Sequence, residues 1–98
     1  WESWRTDLDW APPGGESHRA LGLRVRAALD DLFEASRTSE LVVVTHVSPI
    51  KAALAWVLGV GDEVVWRTFV APASVMTVGA GLAGPSLRGF NDTAHLRF

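Results

Sequence analysis

The chain has 98 residues, enough for one small domain with a modest core, and its 48% hydrophobic and 20% charged residues are an ordinary globular mixture. A net charge of −2, with Lys51 the only lysine, argues against a nucleic-acid surface. The absence of cysteine excludes disulfides and thiolate metal sites and fits a cytoplasmic setting, and no apolar run approaches the ~20 residues of a membrane-spanning helix.

Residues 2–10 read as the end of a helix, with Trp4, Leu8 and Trp1 on one face. Trp1, Trp4 and Trp10 crowd this start, and a face so rich in tryptophan needs a surface to bury against. Met76 is the only methionine, so the expectation is the C-terminal part of a longer protein. "APPGG" (11–15) then breaks the helix, because prolines and glycines do not continue one. Residues 16–35 carry Leu21, Val25, Ala28, Leu29, Leu32 and Phe33, a 3.6-residue stripe, with Arg19, Arg26, Asp30 and Glu34 mostly opposite. Gly22 interrupts this stripe at a cost of about 1 kcal/mol against alanine.

After the loop "SRTSE", "LVVVT" (41–45) shows no alternation. It reads as a strand buried on both faces, as in the middle of a parallel sheet. A helix is expected over 49–58, with Ser48 as its N-cap and Pro49 at its first position, where a missing N–H costs nothing. Ile50, Ala53, Leu54, Val57 and Leu58 form its inner face, and Gly59 is the C′ residue. "VVWRTFV" (64–70), "SVMTVGA" (74–80) and "SLRGFND" (86–92) read as strands, the last returning after the turn "GLAGP". A buried strand flanked by helices is the signature of an α/β layer fold. Such a strand needs neighbours on both sides, which this chain does not obviously supply.

His46 falls just past the C-terminal end of the 41–45 strand, at the mouth of the next helix. In open α/β sheets ligands bind at that edge. The helix N-terminus adds free N–H groups and a partial positive charge, which suit an anion such as phosphate. Val47 lends its backbone N–H. Residue type alone also allows a satisfied structural histidine.

"PPGGES", an arginine-bearing amphipathic helix, "LVVVTHVSPIKAAL", "ASVMTV" and "LRGFNDTAHL" occur in an order that resembles the C-terminal half of the histidine phosphatase superfamily. The form "THVSPIK" looks most like the acid phosphatase domain fused to ribonuclease H in actinobacterial proteins, and it is close to the α-ribazole phosphatases. The resemblance implies a three-layer phosphoglycerate mutase-like fold, a mixed sheet flanked by helices, of which residues 1–98 are the C-terminal half. It implies phosphomonoester hydrolysis through a phosphohistidine, with no cofactor or metal and with a phosphorylated small molecule as substrate. In that family a first histidine, in an Arg-His-Gly motif, attacks phosphorus. Arginines and a second histidine hold the phosphoryl oxygens, and an acid protonates the leaving group.

His46 matches the second histidine, with the backbone of Val47 beside it. Glu16 and Ser17 match the "GES" segment at the pocket rim. This chain has no Arg-His-Gly motif, so the nucleophile and the first arginines, with the acid, are expected from a missing N-terminal half, and the fragment is expected to be inactive alone. A fused ribonuclease H domain upstream is a further expectation.

Each candidate also has a structural explanation. Glu16 and Ser17 suit the first turn and cap of a helix. Arg19, Arg24 and Arg26 sit on a charged helix face where pairing is common. Lys51 opposes the helix dipole unless an anionic substrate offsets it, which makes it a phosphate-binding candidate. Asn91 and Asp92 read as turn residues, Asn91 tying its side chain to a nearby backbone, and His95 reads as structural. A metal site built on His18, His46, His95 and Asp92 matches no ligand spacing. The alternative function is a non-catalytic phosphatase-like binding module that keeps an anion pocket. An α/β-hydrolase fragment is disfavoured because no Gly-x-Ser-x-Gly elbow exists.

Overall fold

Ser17 starts the first helix: its Oγ accepts the Ala20 N–H at 3.1 Å, which satisfies one of the free donors of the first turn. In this computed structural model, which describes residues 6–96, helix α1 spans His18–Ala35 and helix α2 spans Val47–Leu58. Strands β1 (Val75–Gly81) and β2 (Gly84–Asp92) follow, with short 3-10 helices at Asp62–Arg67 and Ala94–Leu96. Trp1 and Trp4 lie outside the described residues. Leu8 is buried and Trp10 half-buried, and the Leu8 carbonyl accepts the Arg19 N–H at 3.0 Å, tying the leading segment to α1.

The core lies where α1 crosses α2, around Leu21, Val25 and Ala52, with Leu29 and Ala53 packed against it. Burying each Leu or Val there stabilises by about 1.5–3 kcal/mol. The stripe of α1 is unevenly covered. Its first half is buried, whereas Leu29, Leu32 and Phe33 are half-buried and Ala28 is exposed. His18 is buried, its ring edge-on to Trp66 at 6.2 Å.

Gly22 has a packing reason. A Cβ there would collide with the Asp62 carboxylate, which reaches over the helix to pair with Arg26. This ion pair pins the 3-10 helix 62–67 to α1.

α2 begins two residues before the expected start. His46, not Ser48, is the N-cap residue, and Pro49 falls at the third helical position, still within the turn where its lost N–H is harmless. At the other end Gly59 adopts φ 66°, the Val60 N–H reaches the Ala55 carbonyl at 3.1 Å, and the Gly59 N–H reaches Trp56 at 3.4 Å. These two bonds are a Schellman motif. The buried face is Pro49, Ala52, Leu54, Ala55 and Val57. Ile50 and Ala53 are half-buried and Leu58 is exposed, so the helix is apolar around more of its circumference than the expected inner face.

Residues 62–67 form a 3-10 helix where a strand from 64 to 70 was expected. Side chains take its carbonyls: Lys51 Nζ donates to Val65 O at 3.1 Å, and Thr68 Oγ1 donates to Val64 O at 3.1 Å. Tertiary contacts override the β-branched composition.

β1 and β2 form an antiparallel hairpin, with irregular register between Val75 and Val78. Segment 41–45 has no regular secondary structure and joins no ladder among the described residues. It is also not buried: Val42 and Val44 are 91% and 93% exposed. Among the described residues nothing packs closely over Val42 and Val44. No helix among the described residues is long and apolar enough to cross a membrane.

Candidate active site

The run 41–45 delivers His46 to the N-terminus of α2. His46 keeps an extended backbone (φ −142°, ψ −176°), its carbonyl accepts the Ile50 N–H at 3.2 Å, and its side chain caps nothing. The imidazole is therefore not spent on the helix. Because Pro49 has no N–H, the first turn offers two donors, Val47 and Ser48, and neither has a partner among the described residues. Two N–H groups, the positive end of a helix dipole and an exposed imidazole lie together at the mouth of α2, an arrangement suited to a tetrahedral oxyanion.

Two clefts meet at His46. One, of about 380 Å³, runs between α1, α2 and segment 41–45, and includes Arg24, Phe33, Val43 and Trp56. The other, of about 430 Å³, lies between residues 43–47 and the turn 71–74. Val47 lines the second. Glu16, Ser17 and Lys51 line neither.

Each of those three is engaged elsewhere. Ser17 caps α1. Lys51, one turn into α2, donates to the Val65 carbonyl. Glu16 forms a two-pronged pair with Arg24, at 3.1 and 3.0 Å. The hydrogen bond from Arg24 holds the Glu16 carboxyl below its ordinary pKa, and the same bond raises that of the guanidinium. Arg19 is likewise raised by its hydrogen bond to Asp9 at 2.7 Å, and Arg26 is held by Asp62.

Arg24 is the arginine that shares a cleft with His46. Helix-face spacing alone did not separate it from Arg19 and Arg26. The Ser48 N–H and the turn 71–74 are the other features that sequence reasoning missed.

The architecture is α/β, with helices α1 and α2, an antiparallel hairpin and an exposed histidine at the mouth of α2. The family model described as "Histidine phosphatase superfamily (branch 1)" matches residues 1–93, so the chain belongs to the histidine phosphatase superfamily. It is 34% identical over 94 residues to the bifunctional protein Rv2228c of Mycobacterium tuberculosis, and equally to the uncharacterized protein Mb2253c of Mycobacterium bovis. The match takes in 95% of this chain but 26% of each relative, so the chain spans about a quarter of their length. Its fold is similar to that of a mutant phosphoserine phosphatase from Entamoeba histolytica solved in complex with phosphoserine. That match has a TM-score of 0.81 and 21% identity, over 98% of this chain and 50% of that one.

Proposed function

We propose that this chain is the C-terminal half of a phosphomonoesterase domain of the acid phosphatase type, and that His46 is the second histidine of its active site. The observation that carries the reading is the uncommitted imidazole at the mouth of α2, beside two unpaired backbone donors. In the reaction, a histidine nitrogen of the N-terminal half attacks phosphorus and the P–O bond to the alcohol breaks. An acid, also in that half, protonates the departing oxygen. Water then cleaves the P–N bond, releasing phosphate and the free nucleophile. Throughout, His46 and the Val47 and Ser48 amides stabilise charge on the phosphoryl oxygens, the contribution that dominates phosphoryl transfer.

Glu16 and Ser17 stand at the rim in this reading, and Lys51 adds positive charge near the helix start. The substrate is a phosphorylated small molecule; the phosphoserine bound to the Entamoeba enzyme is one of that class. The bifunctional mycobacterial relative supports a second domain in the same polypeptide, which we assign as a ribonuclease H domain, with a cytoplasmic location.

The test is His46→Ala in the full-length protein that carries this segment, assayed on p-nitrophenyl phosphate. Turnover is expected to fall by about 10²–10³-fold with the fold unchanged. Near-normal turnover would overturn the assignment.

A further inference from the structure

The wall of the second cleft that faces His46 is the turn 71–74, and little within the turn holds it. One backbone bond closes it, from the Ser74 N–H to the Ala71 carbonyl at 3.2 Å. Ala73 sits at φ +59°, a left-handed backbone that a residue with a Cβ adopts only at a cost. Two side chains from much later in the chain brace it. Asn91, near the end of β2 and itself at φ +54°, accepts the Ala71 N–H on Oδ1 at 2.8 Å. His95, in the 3-10 helix 94–96, places Nε2 2.7 Å from the Ala73 carbonyl. A carbonyl only accepts, so Nε2 is the donor in this contact. Neither Asn91 nor His95 lines the cleft.

We propose that Asn91 and His95 are positioning residues for the phosphate site. By holding the turn 71–74 against the mouth of α2, they set the width of the cleft that His46 lines. They thereby set ground-state affinity for the phosphoryl group rather than the rate of its transfer. The proposal rests on the phosphatase reading above.

The experiment uses the full-length protein, with p-nitrophenyl phosphate as substrate and inorganic phosphate as competitive inhibitor. Asn91→Ala and His95→Ala are each expected to raise KM and the phosphate inhibition constant about fivefold, the worth of one hydrogen bond, with kcat within about twofold. Asn91→Asp keeps an acceptor and His95→Gln keeps a donor, so both are expected to restore wild-type KM. A purely structural role would lower the thermal midpoint without moving KM or the inhibition constant. That result overturns the proposal, as does a fall in kcat at constant KM. If an alanine variant does not fold, the conservative pair decides: wild-type KM in the Gln and Asp variants, against a raised KM in His95→Leu and Asn91→Gly, supports the proposal, and equal KM in all four overturns it. His46→Ala in parallel separates the two failures. Undiminished turnover there removes the phosphatase reading itself, and the positioning role with it; lost turnover with unchanged KM in the alanine variants removes the positioning role alone.

Discussion

The corner where α1, α2 and the 3-10 helix 62–67 meet differs sharply from segment 41–45, although both are apolar and adjacent. In the corner every demand is met by residues of the same chain. Leu21, Val25 and Ala52 bury one another, Asp62 pairs with Arg26, and side chains take the carbonyls of the 3-10 turn. In the 41–45 run the valines face water on both sides and the backbone joins no ladder among the described residues. Self-sufficiency and chemistry are thus separated. The stable corner holds the helices, and the histidine stands at the tip of the segment with the least internal support. An apolar segment this exposed is unusual on a protein surface.

The largest expected effect comes from testing that contrast directly. Val42→Lys with Val44→Lys should change the urea-unfolding free energy of this chain alone by no more than ~0.5 kcal/mol, as at any open surface. The same pair in the full-length protein should cost about 4 kcal/mol or more, because the lysines would be buried without partners. Equal effects in both settings would break the comparison.

Next is Asp62→Ala, which strands Arg26 beside the core. The full cost of breaking a buried pair is about 3–5 kcal/mol, and the partial exposure of Arg26 brings the expected loss to roughly 2–3 kcal/mol by urea unfolding. A loss within error of zero would mean that the corner does not depend on the pair.

Gly22→Ala follows. In an open helix it would gain about 1 kcal/mol. Here its Cβ meets the Asp62 carboxylate, so the urea-unfolding free energy should fall, by about 1–2 kcal/mol. A rise would show that the carboxylate moves aside freely.

The smallest effect belongs to the exposed Glu16–Arg24 pair. Its hydrogen bond lowers the Glu16 pKa in the folded state, so the pair's small stabilisation is present above the ordinary value of 4.5 and disappears as pH falls through the depressed one. The difference in thermal midpoint between wild type and Glu16→Gln should therefore be measurable at pH 7 and vanish near pH 2. A difference that persists in acid would mean that packing, not charge, is responsible.

What could be read from the sequence was what neighbours in the chain decide. The α1 stripe, the Ser17 cap, the Gly59 terminator and the β1–β2 hairpin all follow from local spacing and turn chemistry. The 3-10 helix could not be read, because "VVWRTFV" has strand composition, and the contacts of Lys51 and Asp62 across the fold, with the Thr68 hydroxyl, turn it otherwise. His46 was legible from its junction. Its N-cap role was obscured by Ser48, a better capping residue by type. The second wall of its cleft was not legible at all, since the contacts that shape it come from Asn91 and His95, about twenty residues beyond the turn.

The close approach of Asp62 to Gly22 has a consequence for how this sequence can change. As long as an aspartate stands at 62, a side chain at 22 must push its carboxylate aside. Once 62 is shortened, the same side chain becomes neutral or helpful to the helix. The two positions are thus in sign epistasis. Either change made first costs stability, the loss of the acid more than the filling of the glycine, so the pair of substitutions costs less than the sum of its parts.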